Sequence, residues 1–294
     1  MVLDSSTHDA MTRLRSAPAK TGGSTNAPEL SVPGPRVPAP RRHQVTVDDI
    51  VFDAMREDEV VSHVLDALER GEGGNLITPN VDILRQLRRP ENRHLAVGAD
   101  LVVPDGMPIV WASRLQGEQL PERVTGSSLI WSLSRGAARS ERTLYLLGGA
   151  EGIAERAAEK LIAEEPDLDI VGWHCPPFGF ERQGTTLEET VDAVIDAKPD
   201  IVFVALGFPK QERLMQKLRE NLPSAWFVGC GGTLTMVAGE VSRAPVWIQR
   251  SGFEWVHRLA MEPRRMAKRY LVHDLPYAAG LFARSLGRRY GHHA

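Results

Sequence analysis

Short apolar runs alternate with amphipathic segments along most of the chain, and this alternation constrains the fold more than any other feature. Four of the runs are NLI, LYLL, IVFVAL and AWFV, and each leads into a loop that contains glycine or polar residues. Segments of roughly 10–15 residues with helical spacing separate the runs. Strands that alternate with such helices form parallel sheets. The sequence therefore predicts an α/β fold with a mostly parallel sheet and helices on both faces.

The two ends of the chain depart from this pattern. Residues 1–43 contain five prolines between Pro28 and Pro40, and proline removes backbone donors and favours extended chain. We expect a disordered, proline-rich tail there. Residues 44–242 carry the alternation and form the predicted core. Residues 243–294 have helical spacing without strand-like runs, which predicts a helical appendage.

Charge is concentrated at the carboxyl end. Residues 241–294 contain ten Lys or Arg and three Asp or Glu, a net charge of +7, whereas the whole chain carries −3. A basic end on an acidic body is typical of proteins that bind an anion, which can be nucleic acid, a phosphorylated substrate or a lipid surface. A basic face that contacts only water is the alternative, and charge alone does not choose between them.

Composition excludes several classes of protein. Apolar residues make up 42% and charged residues 25%, as in ordinary globular chains. The chain contains no uninterrupted run of 18 apolar residues, so the sequence predicts no membrane-spanning helix. The first 16 residues lack the apolar core of a signal peptide. The two cysteines and nine histidines show no metal-ligand spacing, so we predict no metal site. A reduced, cytoplasmic environment fits this cysteine content.

Candidate site residues follow the apolar runs, because ligands of open α/β sheets bind beyond the carboxyl ends of the strands. Thr78 and Asn80 follow NLI, and Asn80 is also placed to cap the next helix. Asp105 follows LVVP, where a partly buried carboxylate can act as a general base. Asp-Gly pairs are also common in turns, and that alternative stays open on local context.

The turn LLGGAEG opens a predicted helix. Gly148 and Gly149 let the backbone approach a phosphate, and the free N–H groups of a helix N-terminus attract anions. A tight turn between strand and helix is the alternative, since the full GxGxxG spacing is absent. An oxidoreductase that used the turn Gly148–Gly152 to bind a nucleotide would need an acid about 20 residues further on. Asp167 and Asp169 lie near that distance.

Two further polar residues are candidates for substrate binding. Arg123 in RVTG suits a bidentate contact with phosphate or carboxylate. Gln211 in PKQE can orient a sugar hydroxyl or a phosphate oxygen. A surface arginine before a capped helix and an ordinary first-turn glutamine are the alternatives.

Six short motifs occur in one order between residues 78 and 234. They are TPN, PDG, RVTG, LGG, GFPKQE and GCGGTL. In this order and spacing the chain resembles the WecG/TagA/CpsF family of bacterial glycosyltransferases over roughly residues 45–270. The proline-rich tail and residues 271–294 are expected to lie outside the family's usual extent.

The resemblance implies a Rossmann-like fold and an inverting, metal-independent transfer without a cofactor. A sugar of the N-acetylmannosamine type would pass from a UDP-sugar to a polyprenyl-diphosphate-linked sugar, for a cell-surface polysaccharide or a teichoic-acid-type polymer. It also implies a peripheral position on the inner face of the cell membrane, no nucleic-acid partner, and homo-oligomers as a possibility.

The resemblance also assigns roles to the candidate residues. Asp105 corresponds to the general base that deprotonates the acceptor hydroxyl, with Thr78 beside it as a catalytic residue. The substrate-binding positions implied by the motifs are Asn80, Arg123, Gln211, Gly148 and Gly149.

Family members carry a C-terminal appendage that docks on the membrane and closes the active site with arginines. The matching positions are Arg258, Arg265 and either Lys268 or Arg269. Positions 265 and 269 each lie within about 20° of position 258 on a continuous helix at 100° per residue. Pro263 would kink or restart that helix. The +7 end would then contact a diphosphate and anionic lipid.

Three hypotheses follow from the sequence. The first is the glycosyltransferase. The second is the nucleotide-dependent oxidoreductase, which leaves PDG and PKQE without a role. The third is a non-enzymatic peripheral membrane adaptor, which explains the basic end but not the polar residues at the strand ends.

Overall fold

The computed structural model describes residues 42–241, 244–245, 248 and 254–291, with the side chains of residues 265 and 291 excepted. All but the last two residues of the predicted proline-rich tail lie outside the described residues, so that prediction is not addressed by the structure.

The segment VTVDDIVFD predicts one short strand before the first helix. It forms a hairpin of two short antiparallel strands instead, β1 (Gln44–Val47) and β2 (Ile50–Asp53). Asp48 and Asp49 connect them with φ angles of 51° and 68°. A two-residue turn with positive φ at both positions matches the twist of a hairpin, and Asp tolerates that conformation. The pair of aspartates between two apolar runs is therefore the signal for the second strand.

The central sheet is parallel and has six strands. They are β3 (Gly74–Ile77), β4 (Leu101–Val102), β5 (Thr143–Gly148), β6 (Asp169–His174), β7 (Ile201–Ala205) and β8 (Trp226–Gly229). Their order across the sheet is β4-β3-β8-β7-β5-β6, with every pair parallel. All six carboxyl ends therefore meet at one edge. The predicted mostly parallel, Rossmann-like sheet is confirmed.

Helices connect the strands and continue beyond the last one. They are α1 (Glu57–Glu69), α2 (Val81–Leu87), α3 (Pro90–Val97), α4 (Met107–Gln116), α5 (Gly126–Arg139), α6 (Ile153–Glu164), α7 (Gly184–Ala197), α8 (Lys210–Asn221), α9 (Thr233–Val237), α10 (Glu254–Met261), α11 (Pro263–Ala267) and α12 (Leu275–Gly291). A 3₁₀ turn covers Phe180–Arg182, and a π-helical segment covers Lys268–Asp274.

Helices cover both faces of the sheet, as predicted. Along β7, Ile201 and Phe203 pack with α1, α5 and α6 on one face, and Val202 and Val204 pack with α2, α3, α7 and α8 on the other. Alternate side chains of a strand point to opposite faces, so a strand buried on both sides reads as a continuous apolar run. This is why IVFVAL carries no alternation.

The segment HLAVGADLVV is one apolar run in the sequence, but it forms two separate elements in the structure. HLAV ends α3, which begins at Pro90, and only Leu101 and Val102 form the strand β4. Leu95 and Ala96 are buried against α2 and its neighbours. A short apolar run fits a buried helix as well as a strand, so periodicity does not separate the two.

The carboxyl end is helical, as predicted, but it is not one continuous helix. Pro263 is the first residue of α11, because proline lacks the N–H that an interior position would use. The π-helical segment then changes the helical phase before α12. α12 packs against α4, and Leu281 joins the core of that face. Among the described residues, no helix is long and apolar enough to cross a membrane.

A buried carboxylate in the hairpin turn anchors α12. Asp48 is 4% exposed and accepts hydrogen bonds from Arg284 at 2.8 and 3.0 Å and from the hydroxyl of Tyr277. Arg88 lies 3.5 Å away. Burial raises the pKa of Asp48, but the hydrogen bonds from Arg284 and Tyr277 outweigh it, so the pKa is lowered from its ordinary value.

Replacing this carboxylate is expected to cost more stability than replacing its neighbour. Asp48→Asn should lower the free energy of unfolding by about 2 to 3 kcal/mol, because it removes a buried charge from charged donors. Asp49→Asn is the matched control: Asp49 lies in the same turn and pairs with Arg288 at the surface, which is worth about 1 kcal/mol or less. Urea denaturation measures the free energy of unfolding of both variants. Equal losses would show that Asp48 does not anchor α12.

The same anchor predicts a pH dependence. A group whose pKa is lowered in the folded state stabilises it above the ordinary pKa, and that contribution is lost as the pH falls through the folded value. The stability difference between wild type and Asp48→Asn should therefore be full at neutral pH and shrink in acid. A difference that grows in acid would show that the charge on Asp48 is not stabilising.

Candidate active site

A cavity of about 270 Å³ lies between the carboxyl ends of β3 and β4 and the C-terminal helices. Asn80, Asp105 and Arg123 line it from the core, and Glu254 and Arg258 line it from α10. Three predicted candidates are thus brought together, Asn80 and Asp105 from the ends of β3 and β4 and Arg123 from the connection between α4 and α5. The parallel sheet accounts for this, since it places the carboxyl ends of β3 and β4 side by side.

Asp105 is held at the cavity by backbone contacts on both sides. Its N–H donates to the carbonyl of Pro79 at 2.9 Å, and its carboxylate accepts from the N–H of Gly126, the first residue of α5. Burial raises the pKa of Asp105 to about 7, against the lowering effect of Arg123 and Arg258. At neutral pH the carboxyl is therefore close to half ionised, which suits a group that accepts a proton in a reaction.

The motif RVTG positions the start of α5 against this carboxylate. The Thr125 hydroxyl accepts the N–H of Ser128 at 3.0 Å and so caps the helix. A Cβ on Gly126 would lie 2.9 Å from the Cα of Cys230, so only glycine lets the helix begin this close to the end of β8. The positive end of the helix is thereby directed at Asp105.

An ion pair joins the core to the C-terminal helices at the cavity. Arg123 donates to Glu254 at 2.7 Å, and Arg258 lies 3.9 Å from the other oxygen of that carboxylate. Both members of the Arg123–Glu254 pair are largely buried, with side chains 16% and 11% exposed. The charge of Glu254 also contributes to the raised pKa of Asp105. The cavity thus places two acids and two arginines close together.

The sequence does not indicate Glu254 as a site residue. It enters the sequence analysis only as one of the three acids in residues 241–294. The available signal is an acid that directly precedes Trp255 within a segment of predominantly positive charge. Such an acid needs a buried cationic partner if the helix packs on the core. The partner, Arg123, lies 131 residues earlier in the chain, so spacing gives no hint of the pairing.

Asn80 and Thr78 occupy different positions at the end of β3. Asn80 lines the cavity, and its Oδ1 accepts the N–H of Ile83 at 3.1 Å, so the predicted helix cap is confirmed. Thr78 is buried, and its hydroxyl donates to the carbonyl of Gly229 at 3.2 Å. Thr78 therefore connects the ends of β3 and β8 beneath the cavity and is not among the described residues that line it.

Gln211 is buried and connects two loops. Its Oε1 accepts the N–H groups of Gly207 and Gly231, both at 3.1 Å, and its Nε2 donates to Glu212 at 2.9 Å. These bonds fix the loops after β7 and β8, two neighbouring strands. Within the described part of the chain, Gln211 does not line the cavity. The predicted contact of Gln211 with substrate stays a prediction.

Gly148 and Gly149 have a packing reason for being glycine. Both have positive φ, 119° and 84°, and a Cβ on Gly148 would lie 2.4 Å from the carbonyl oxygen of Ala205. The turn follows β5, three strands from β3, which corresponds to about 14 Å along the edge of the sheet. The turn is thus displaced from Asp105 along the same edge.

Of the basic residues matched to the family's appendage, the structure places one with Asp105. Arg258 lines the cavity, and Lys268 is exposed and does not line it. The side chain of Arg265 lies outside the described residues. Arg269, the alternative to Lys268, lines the cavity at 3.3 Å from Asp82 and 3.4 Å from Asp274.

The carboxylates around Arg269 form a balanced cluster with a second arginine. Arg85 pairs with Asp82 and lies 3.8 Å from Asp274. Burial and the nearby charge of Asp82 raise the pKa of Asp274 to about 6. Two acids and two arginines therefore compensate one another at this part of the cavity, in the same way as at Asp105.

Within the described ranges, no group of three or more His, Cys, Asp or Glu side chains is arranged to hold a metal ion. The charged groups that line the cavity are carboxylates and arginines, beside the polar side chains of Asn80, Ser127 and Tyr270. Their chemistry is that of acid–base catalysis beside an anionic ligand.

Two relatives are similar to this chain over a large part of its length. Both are N-acetylglucosaminyldiphosphoundecaprenol N-acetyl-beta-D-mannosaminyltransferases. The protein from Bacillus spizizenii is 31% identical over 199 residues, which cover 67% of this chain and 75% of that protein. The protein from Bacillus subtilis is 31% identical over 167 residues, which cover 57% of this chain and 63% of that protein.

A family model extends the likeness to nearly all of the described residues. The model, described as Glycosyl transferase WecG/TagA/CpsF family, matches residues 45–291. The expectation that the family's extent ends near residue 270 is therefore wrong, because α12 lies within the match. The cavity residues from both the core and the C-terminal helices also lie within it. The chain belongs to the WecG/TagA/CpsF family of glycosyltransferases.

Proposed function

We propose that this glycosyltransferase moves an N-acetylmannosamine-type sugar from a UDP-sugar to N-acetylglucosamine that is linked through diphosphate to a polyprenol. The observation that carries the proposal is Asp105, whose pKa is about 7, in a cavity with Arg123 and Arg258. A base beside two fixed cations suits a reaction that deprotonates an alcohol and releases a diphosphate. The names of the two relatives supply the sugars and the lipid.

The proposed reaction is a single displacement that inverts the anomeric centre. The acceptor hydroxyl loses its proton to the Asp105 carboxylate as its oxygen bonds to the anomeric carbon of the donor. The bond from that carbon to the UDP oxygen breaks on the opposite face, and UDP keeps the electron pair. Arg123 and Arg258 stabilise the negative charge that develops on the diphosphate, and we propose that no metal ion is needed.

The edge of the sheet offers a path for the donor. The glycine turn after β5 lies four strands, or about 19 Å, from β4, which precedes Asp105, so a nucleotide at the turn can extend its sugar toward Asp105. Gln211 fixes the loops of Gly207 and Gly231, which lie between these two points. In this arrangement Gln211 and Thr78 shape the donor site from beneath.

The transferase accounts for more of the structure than the alternatives do. The oxidoreductase would use Asp167 or Asp169, which are both exposed, and gives no role to the cavity. The membrane adaptor gives no role to a carboxyl with a pKa of about 7 between two arginines. Membership of a glycosyltransferase family favours the enzyme over both.

A peripheral position at the inner face of an anionic membrane is part of the proposal. Large apolar side chains are exposed along the C-terminal helices, including Met261, Leu271 and Val272, which are 50 to 59% exposed. Lys268 and Arg264 are exposed on the same segment. Apolar side chains beside basic ones are typical of helices that lie in the interface of an anionic bilayer.

The base assignment predicts the effect of a single substitution. Asp105→Asn should lower the transfer rate about 100-fold or more, because the amide cannot accept the proton. Transfer is measured with UDP-sugars and a lipid-diphosphate-linked N-acetylglucosamine, without added metal. UDP affinity, measured by calorimetry, should change little.

Asp100→Asn is the control for that experiment. Asp100 lies just before β4, where it accepts the N–H of Asn75 at 2.8 Å and pairs with Arg219. This variant should lose stability and keep its transfer rate per folded molecule. Wild-type transfer by Asp105→Asn would show that another group is the base.

The pH profile is predicted to depend on the charges around Asp105. For wild type, kcat/KM should rise with pH and level off above about 7, as Asp105 loses its proton. Glu254→Gln removes a negative charge and should move the midpoint to lower pH. Arg258→Gln removes a positive charge and should move it to higher pH. Shifts in the same direction, or no shifts, would contradict the assignment of the midpoint to Asp105.

Membrane binding is predicted to depend on the exposed apolar residues of the C-terminal segment. Leu271→Asp combined with Val272→Asp should abolish sedimentation with vesicles that contain anionic phospholipid, because charges enter the interface poorly. Val97→Asp is the control, since Val97 is 80% exposed and lies on α3. Equal binding by the double variant and wild type would place the membrane contact elsewhere.

A further inference from the structure

Glu212, next to Gln211 in the first turn of α8, is a buried carboxyl that the proposed reaction does not use. It is 3% exposed, and in the part of the chain that the structure describes no basic side chain forms an ion pair with it. Its Oε1 accepts the Nε2–H of Gln211 at 2.9 Å, and its Oε2 has no hydrogen-bond partner among the described residues. Burial raises the pKa of Glu212 to about 7, against the lowering effect of the hydrogen bond from Gln211.

A carboxyl in such a position lowers the stability of the fold unless its contact is needed. Burial of a polar group with one oxygen unpaired costs free energy, and an apolar side chain of similar size would avoid that cost. The side chain that Glu212 contacts by a hydrogen bond is that of Gln211. The role of Glu212 is therefore to be sought in its effect on Gln211.

The Gln211 amide requires an acceptor on one of its two sides. Its Oε1 accepts the N–H groups of Gly207 and Gly231, both at 3.1 Å, which uses both of its lone pairs. Its Nε2 can only donate and lies in the interior, where an unpaired donor is costly. Glu212 supplies the acceptor for Nε2, so the three contacts together fix the amide in one orientation.

The two glycines that Gln211 holds lie in neighbouring loops at the carboxyl edge of the sheet. Gly207 follows β7 and Gly231 follows β8, and these two strands are paired. Both glycines have positive φ angles, 77° and 56°, and a Cβ on either would meet no atom of the described residues within 4 Å. Their N–H groups thus point inward to Gln211, and their Cα atoms face open space on the edge where the proposed function places the donor.

We propose that Glu212 is a positioning residue, whose carboxyl holds the Gln211 amide and through it the loops of Gly207 and Gly231 in the arrangement that binds the sugar nucleotide. This proposal rests on the proposed function, which places the donor between the turn after β5 and Asp105. In this role Glu212 touches neither substrate. Loss of its acceptor oxygen releases one side of the amide, and both loops are then less well fixed.

The first test separates binding of the donor from the chemical step. Glu212→Met keeps an unbranched side chain and removes the acceptor, and Glu212→Leu is a second apolar replacement. In both variants the KM of the UDP-sugar should rise about tenfold, because the unpaired amide no longer fixes the two loops. The kcat and the KM of the lipid-linked acceptor should stay within about twofold. Glu220→Met is the matched control, since Glu220 is exposed on the same helix, and it should change none of these values.

A rescue and a double-mutant cycle test whether Glu212 acts through Gln211. Glu212→Gln keeps an acceptor oxygen for Nε2, so its KM for the UDP-sugar should lie within about threefold of the wild-type value. Gln211→Leu removes the amide, so in that background Glu212→Met should raise the same KM by no more than about twofold. Additive effects of the two substitutions would show that Glu212 acts independently of Gln211 and would overturn the proposal.

Hydrogen exchange gives a measurement that does not depend on transfer. In the protein without ligand, the N–H groups of Gly207 and Gly231 should exchange at least about tenfold faster in Glu212→Met than in wild type, because their acceptor is no longer fixed. Two-dimensional NMR resolves these amides individually. The amides of β5, in the interior of the sheet, report global unfolding and should exchange as in wild type.

Further outcomes would overturn the proposal. An unchanged KM for the UDP-sugar in Glu212→Met, or unchanged exchange of the two glycines, would show that Glu212 does not position the loops. Equal losses in Glu212→Met and Glu212→Gln would show that the acceptor oxygen is not what matters. Faster exchange in β5 to the same extent as at the glycines would show that Glu212 supports the whole sheet.

The failure of this proposal differs from the failure of the proposed function. If no UDP-sugar supports transfer by wild type, the proposed function fails, and hydrogen exchange still decides whether Glu212 fixes the two loops. If transfer occurs and Glu212→Met keeps the wild-type KM for the donor, the proposed function stands and the positioning role is refuted.

Discussion

The ion pair between Arg123 and Glu254 is the contact on which the cavity depends. It joins the loop before α5 to the first turn of α10, and both side chains are largely buried. A buried charge without a partner costs several kcal/mol, so the pairing stabilises both side chains in the interior. The pair thereby fixes where the C-terminal helices meet the sheet. Arg258, on the next turn of α10, then lies near Asp105.

Asp48 likewise attaches the C-terminal segment to the core, at the end of the segment that is far from Glu254. It holds Arg284 and Tyr277 of α12 against the hairpin. The carboxylates of Glu254 and Asp48 thus decide the position of helices whose exposed surface is partly apolar.

Asp105 differs from these carboxylates in its electrostatics. Asp48 has a lowered pKa because charged donors surround it, whereas burial dominates at Asp105 and raises its pKa to about 7. The two arginines near Asp105 are shared with Glu254, which limits how far they lower its pKa. One chain therefore holds one aspartate whose pKa is lowered by its donors and another whose pKa is raised by burial.

Much of the fold and part of the site follow from local sequence. The apolar runs indicate the strands, the Asn80 cap starts α2, and the rule that strand ends build sites groups Asp105 with Asn80. These are short-range properties, which depend on backbone propensity and on the periodicity of burial. The hairpin turn at Asp48 also has a local signal, in its pair of aspartates.

Tertiary structure alone decided the remaining features. Gln211 lies at a strand end like Asp105, but packing turns it toward two loops, and no spacing rule reveals that direction. Glu254 finds Arg123 across 131 residues. The sequence by itself determined which elements form and which of their ends meet. Only the packing of distant elements decided which charges lie together. A buried charge is stabilised by an opposite charge that is close in space, whatever their separation along the chain.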